Sequence, residues 1–525
     1  YSWVHQPNIL EVLKDSSKLD PEVRKYLEEE NNYTEHHLKD TKGIQKTLFD
    51  EIKGRIKLDD ESIPFKDRNY EYWTKTTTKG NYSIKLRKKI GTDLIEEYWN
   101  GDEEKKKLNT EYFGVGDIEV SYNDKILGYS LDLKGSEYYT IYLRDIETNK
   151  IISEKIEDTA GGITFSLDDK FIFYSKLDKF HRPRKIYRHK IGDNISNDKL
   201  IFEEKSDAFT VGINLTSDEK YFIITSSDHN TSEQYYFKST EENPEPKLIK
   251  KRNKGIIYSV NSWDNHFYNH TNEKAEDFKI DYCNDLSIQD WKSYIPAQEE
   301  TLIGSLFFLN NWILRSEISN ALPKIFVKNI KTNQEEEIKF TDEKIIDPGI
   351  SFYQKDRDTD LIYLSYSSPK TQSRTYLYNL KSKERKLVKE QEIPSGHNPE
   401  DYIVERLECN SHDGRKVPIT LTRHKKTKVD GTANVLLYGY GSYGSSMSPS
   451  FSSTKFSLID RDIIWVTAHI RGGMERGMKW WKEGKLLNKK NTFEDYLAVG
   501  EFLIKNKYTS KKKIIGFGGS AGGLL

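Results

Sequence analysis

A serine set among glycines, Gly518-Gly519-Ser520-Ala521-Gly522-Gly523, follows the strand-like run Lys513-Ile514-Ile515-Gly516-Phe517. Gly-x-Ser-x-Gly behind an apolar strand is the pattern of a nucleophile elbow, whose sharp strand-to-helix turn lifts a serine hydroxyl to the top of a sheet for acyl transfer. The glycines answer to the crowding of that turn. A glycine-rich turn without a nucleophile, or a phosphate-binding loop, is the competing reading. A phosphate loop wants a lysine directly after its last glycine, and Leu524 stands there. Acyl transfer also needs donors aimed at the developing oxyanion. One is the backbone N–H of Ala521, the residue after Ser520. The other is expected from the loop after the run 433–438, which reads Tyr438-Gly439-Tyr440-Gly441-Ser442-Tyr443-Gly444. A phenolic hydroxyl there can replace a second amide.

A serine nucleophile also requires a base and a group that orients it. In a sheet of this kind they follow the serine in the order Ser, Asp, His, and none of the 12 histidines follows Ser520. The triad aspartate and histidine are therefore read as absent from this sequence, the chain as truncated after the nucleophile, and the fragment as essentially inactive. His469 precedes the serine and is set aside as a substitute base because it would need a different geometry.

The elements that must position these residues fall into three stretches. Residues 1–65 are helical in character: Leu19-Asp20-Pro21-Glu22 opens one helix with a capping aspartate and a first-turn proline, and Ile44, Leu48 and Ile52 recur at helical spacing in a second. Residues 66–395 alternate short strands with charged turns, and a unit repeats: Ser121-Tyr122-Asn123-Asp124-Lys125-Ile126-Leu127, Ser166-Leu167-Asp168-Asp169-Lys170-Phe171-Ile172 and, more loosely, Thr216-Ser217-Asp218-Glu219-Lys220-Tyr221-Phe222. A polar turn leading into a strand at that period suits a four-stranded propeller blade, and about 330 residues at about 45–50 each predict a seven-bladed β-propeller. A pair of β-sandwiches with similar turns is the alternative. Residues 396–525 change again. Asp413-Gly414 marks a hairpin, the runs 433–438 and 463–468 are buried strands, and a helix is expected over Thr492–Lys505, capped by Asn491 or Thr492, with Phe493, Tyr496, Leu497, Phe502 and Leu503 on one face. Hairpin, strand, strand, helix, strand and elbow in that order predict the first half of an α/β-hydrolase domain.

Composition narrows the function classes. The 82 basic and 83 acidic residues give a net charge of −1, so nothing electrostatic points to nucleic acid or an anionic membrane. The two cysteines, Cys283 and Cys409, exclude a disulfide framework and suit a reducing, cytoplasmic compartment. Neither sits in a ligand cluster, so no metal or cofactor is expected. No apolar run reaches the ~20 residues of a membrane helix.

The motifs Leu437 to Gly444, Arg471-Gly472-Gly473, Lys489-Lys490-Asn491-Thr492-Phe493 and Gly518 to Gly523, with Tyr1-Ser2-Trp3 and Leu19 to Asn31 at the N-terminus, together resemble the prolyl oligopeptidase family, most closely its oligopeptidase B branch. The resemblance implies a monomeric serine peptidase that uses Ser520 as nucleophile, Tyr440 as the oxyanion-hole tyrosine and Ala521 as the backbone donor. It implies short peptides as substrates and cleavage after arginine or lysine. Where the branch often carries two aspartates after the Tyr-Gly loop, this chain has Ser448 and Ser450, which weakens any preference for paired basic residues. A prolyl-specific enzyme of the same family, an esterase on the same fold and a non-catalytic propeller-bearing binding protein are the other readings.

Overall fold

The computed structural model describes residues 7–340, 343–350 and 355–525. The Tyr1-Ser2-Trp3 part of the resemblance lies outside them. Two compact units are present. One comprises residues 1–42, 68–273 and 280–294; the other comprises 43–67, 274–279 and 295–525.

In the first unit, Asp20 caps the helix Pro21–Leu38 by accepting the Glu22 N–H at 2.8 Å, with Pro21 in the first turn. The strands that follow form antiparallel meanders, and the sequence repeat is a repeat of hydrogen bonds. In each copy the Ser or Thr hydroxyl donates to the side chain two residues on: Ser121 to Asn123 (2.8 Å), Ser166 to Asp168 (2.7 Å) and Thr216 to Asp218 (2.8 Å). The same oxygen accepts the N–H of the first strand residue, from Ile126, Phe171 and Tyr221. Asp124, Asp169 and Glu219 hold the left-handed turn position at φ 61°, 56° and 60°, a region that the short side chain of aspartate enters more readily than a branched one. Asp169 also accepts the N–H groups of Tyr122 and Asn123, both at 2.7 Å, tying its own turn to the preceding one.

Seven separate blades are not what the backbone ladders define. The first two repeats lie in one eight-stranded sheet over residues 114–203, and the third lies in the four-stranded sheet Thr210–Lys250. The strand Ile156–Thr159 causes the fusion: it pairs with Tyr139–Asp145 on one side, and Thr159 pairs with Lys176 on the other. An edge strand with free N–H and C=O groups pairs with whichever neighbour it reaches. Four-stranded sheets recur in the second unit over 301–337 and 347–390, and they share a core that includes Phe307, Leu314, Val327, Ile362 and Leu364.

Residues 402–517 of the second unit carry a five-stranded mixed sheet. Strands β1 (Tyr402–Asn410) and β2 (Lys416–His424) form the expected hairpin. Its turn carries Gly414 at φ 81°. Next come β3 (Asn434–Tyr438), β4 (Ile463–Ala468), α1 (Gly477–Lys482), α2 (Lys490–Lys505) and β5 (Ile514–Phe517). The spatial order is β1-β2-β4-β3-β5, with β3 parallel to both β4 and β5. Alternation places Val435, Leu437, Ile464, Val466, Ile419 and Leu421 on one face, where they pack with Tyr496, Val499 and Leu503 of α2.

The second helix differs from expectation in two ways. It begins at Lys490, and neither Asn491 nor Thr492 caps it. Asn491 donates instead to the Glu483 carbonyl (2.9 Å), and Thr492 to the carbonyls of Arg471 (2.8 Å) and Gly484 (3.1 Å), so tertiary acceptors win over the local cap. Leu497 is 60% exposed, whereas Asp495 is fully buried, because an ion pair with Arg471 turns that side of the helix inward.

Candidate active site

β3 and β5 are neighbours although 75 residues of sequence separate the end of one from the start of the other. Their parallel ladder, Val435↔Ile514 to Tyr438↔Phe517, brings the following loops out side by side at the carboxyl edge of the sheet. That edge is where open α/β sheets bind ligands. The loop after β3 carries Tyr440 and the loop after β5 carries Ser520. Gly439 N–H continues the ladder to the Phe517 carbonyl (3.2 Å). The Tyr496 hydroxyl clamps both strands, donating to the Leu437 carbonyl (2.6 Å) and accepting from the Phe517 N–H (3.3 Å).

Ser520 is exposed and has φ 51°. A non-glycine residue in this region stores backbone strain, which marks functional turns. A short 3₁₀ turn, Ser520–Leu524, follows it. Two of the flanking glycines, Gly518 and Gly522, are sterically required, whereas a Cβ on Gly519 would meet nothing within 4 Å. A Cβ on Gly518 would sit 2.1 Å from the Gly522 carbonyl oxygen. One on Gly522 would lie 2.8 Å from the Gly439 oxygen and 3.2 Å from the Cα and Cδ2 of Tyr440. The elbow thus packs directly against the backbone of the tyrosine loop, which brings together the three residues singled out in the sequence: Ser520, the half-buried Ala521 and the half-buried Tyr440.

The tyrosine loop is held from behind by residues to which sequence reasoning assigned no role. Lys489 Nζ donates to the Gly441 carbonyl (2.6 Å) and to Ser442 Oγ (2.8 Å). Arg471, 1% exposed, meets the fully buried Asp495 through its backbone N–H (3.0 Å), Nε (2.9 Å) and Nη2 (2.6 Å), and Asp413 through Nη1 (2.5 Å). Burial alone would raise the Asp413 carboxyl, but the Arg471 hydrogen bonds outweigh it and hold the group below its ordinary range. The hint lay in the motifs: an arginine before Gly-Gly, an aspartate on the inner side of a helix and an aspartate in the hairpin turn.

His469 does not belong to this cluster. It is fully buried, and its Nε2 pairs with Thr420 Oγ1 at 2.8 Å. Burial, with Arg406 nearby, pushes its pKa well below the ordinary histidine value. Among the described residues no group of three or more His, Cys, Asp or Glu is placed to hold a metal ion, and no helix is long and apolar enough to cross a membrane.

A strained serine between glycines at the end of a parallel strand, packed on a tyrosine loop, defines the class of serine hydrolases built around a nucleophile elbow. The family model for the N-terminal β-propeller domain of prolyl oligopeptidase matches residues 11–391, and the prolyl oligopeptidase family model matches residues 449–525. Dipeptidyl aminopeptidase BI of Pseudoxanthomonas mexicana is 31% identical over 532 residues, covering 98% of this chain and 73% of that protein. Protease 2 of Moraxella lacunata is 29% identical over 513 residues, covering 96% and 73%. Among solved structures, oligopeptidase B from Leishmania major aligns with a TM-score of 0.92 at 26% identity, covering 98% of this chain and 74% of that one. Oligopeptidase B from Trypanosoma brucei with covalently bound antipain aligns at 0.91 and 28%, with the same coverage. The chain belongs to the prolyl oligopeptidase family of serine peptidases, with an N-terminal propeller domain followed by a peptidase domain.

Proposed function

We propose that this chain carries the nucleophile and oxyanion hole of a serine oligopeptidase, on the first half of an α/β-hydrolase domain over residues 396–525. Residues 66–395 form the propeller and residues 1–65 a helical lead-in. The observation that carries the reading is Ser520 at φ 51°, with its elbow packed on Tyr440 through Gly522. Ser520 Oγ forms a bond to the peptide carbonyl carbon while its proton passes to a base. The carbonyl oxygen gains charge and is held by Ala521 N–H and the Tyr440 hydroxyl. The C–N bond then breaks, the departing amine takes the proton, and water releases the acyl group. The base and its orienting carboxylate are assigned, by the chain order of such folds, to positions after Ser520. The covalently bound antipain of the Trypanosoma brucei enzyme supports a covalent mechanism.

Short peptides cut after arginine or lysine are the proposed substrates, a preference supported by similarity to protease 2 and oligopeptidase B. The buried, unpaired thiols Cys283 and Cys409 suit the cytoplasmic location proposed with it. A fluorophosphonate probe applied to the full-length protein tests the nucleophile. Labelling is expected and should vanish in Ser520→Ala; an unlabelled wild type sinks the proposal. Tyr440→Phe should lower kcat by about 10²–10³ with little change in KM, the usual cost of one oxyanion donor. Arginyl and prolyl reporter peptides test specificity, and faster cleavage after proline would overturn the basic preference.

A further inference from the structure

Tyr440 stands between the two residues least able to hold it. Gly439 and Gly441 flank it, and a glycine backbone rotates more freely than any other. The direction of the phenol therefore depends on what anchors the chain on each side. Upstream the anchor is the sheet, through the Gly439 N–H bonded to the Phe517 carbonyl at 3.2 Å. Downstream, Gly441 takes φ 62° in a slot where an added Cβ would come within 2.4 Å of Thr492 Cγ2. Its carbonyl accepts from Lys489 Nζ at 2.6 Å, and the same ammonium donates to Ser442 Oγ at 2.8 Å.

The ammonium is held there against its own preference. Neither acceptor is a carboxylate. Lys489 is half-buried, and burial lowers its pKa with no acidic neighbour to offset the loss. A cation withdrawn from water without a counter-charge is unfavourable. The turn that delivers it is strained as well. Leu486 has φ 52°, and the Lys489 N–H closes the turn onto the Leu486 carbonyl at 3.1 Å. Leucine seldom enters that region, and such outliers gather at functional sites. The next residue, Lys490, shows the ordinary alternative: its side chain is 84% exposed and lies 3.6 Å from Glu494.

We propose that Lys489 is a positioning residue of the oxyanion hole. By fixing the peptide after Gly441 it completes the second anchor of Tyr440, so that the phenol points at the charge developing on the substrate carbonyl. Lys489 touches no reacting atom and acts through Tyr440. The inference rests on the reading of Tyr440 as an oxyanion donor. It adds the residue that keeps this donor preorganised, which is the source of such a donor's effect.

A double-variant cycle in the full-length protein tests it, with kcat and KM measured on whichever of the arginyl and prolyl reporter peptides is cleaved faster. Lys489→Met keeps the stem and removes the donors. It should lower kcat about 10–100-fold with KM little changed, within what a misplacement of about 1 Å costs an aligned group. In a Tyr440→Phe background the same substitution should change kcat less than about twofold, because the hydroxyl it positions is gone. Ser442→Ala removes one of the two acceptors with less risk to folding and should repeat the pattern with a fall of about two- to fivefold. Lys490→Met is the surface control and should match wild type in kcat and melting. A fall that persists in Tyr440→Phe would overturn this inference and leave the Tyr440 reading intact. So would an unchanged kcat in both Lys489→Met and Ser442→Ala where Tyr440→Phe alone is impaired. Full activity in Tyr440→Phe would overturn both.

Discussion

The turns of the repeat region and the loops of the peptidase sheet both reverse the chain tightly, by opposite means. In the repeats, one hydroxyl and one acid or amide within six residues close each turn, as in Ser166 with Asp168 and Phe171. In the peptidase sheet, backbone from distant segments interlocks through missing side chains. A Cβ on Gly472 would sit 1.9 Å from the Gly441 oxygen, and one on Gly484 would sit 2.2 Å from the Gly472 nitrogen. The Arg471 and Gly484 carbonyls share the Thr492 hydroxyl. A local turn can fail alone, whereas an interlocked one takes its neighbours with it. The catalytic candidates sit on the interlocked kind, where rigidity is needed to hold donors in place.

The sharpest way to break this contrast is Gly472→Ala. The added methyl meets backbone, which cannot step aside, and a loss of about 4 kcal/mol or more is expected by denaturant unfolding. Stability within 1 kcal/mol of wild type would show that the interlock is loose. Next comes Asp495→Ala, which removes the buried carboxylate that takes three of the Arg471 hydrogen bonds and leaves Asp413 as its close partner; removal of one partner of a buried pair costs about 3–5 kcal/mol, again read by unfolding.

A smaller effect is expected from Glu475, whose carboxyl is 2% exposed and accepts the Met447 N–H at 2.9 Å. Burial pushes its pKa from 4.5 up to about 7, against the pull of that hydrogen bond. The folded state therefore keeps a proton that the unfolded chain has released, and stability should fall as pH rises from about 4.5 to about 7. Glu475→Gln should flatten that slope in unfolding curves taken across the window; an unchanged slope would assign it to other groups.

Tyr496→Phe removes the clamp between β3 and β5 and should cost about 1 kcal/mol, with slower fluorophosphonate labelling as the readout of a misplaced loop. Ser166→Ala should cost about 1 kcal/mol and leave labelling unchanged. If it slowed labelling as much as Tyr496→Phe, the division between local and interlocked turns would be wrong.

The legibility of the molecule follows the same division. The elbow, the helix opened by Asp20 and Pro21, the Asp413-Gly414 hairpin and the repeated hydroxyl turns were readable because their determinants lie within a few residues of one another. The start of α2 was misplaced because Asn491 and Thr492 bond to carbonyls of Glu483, Arg471 and Gly484 rather than to their own helix. The placement of Leu497 in the core failed for a related reason: periodicity cannot tell that Asp495 faces a buried arginine. The blade count failed at Ile156–Thr159, whose two-sided pairing joins sheets that the repeat period would separate.

By itself the sequence singled out one serine, one tyrosine and one backbone amide as candidates for an acyl-transfer site, and it pointed to the family to which the chain belongs. Backbone conformation at a glycine, an N-cap or a hydroxyl turn is set by short-range sterics and hydrogen bonds, so local spacing suffices. Tertiary structure alone decided that β5 lies beside β3, that Tyr496 ties the two together and that Lys489 reaches the Gly441 carbonyl. Strand order depends on which apolar faces can be buried together across long crossovers, and no short stretch of sequence carries that information.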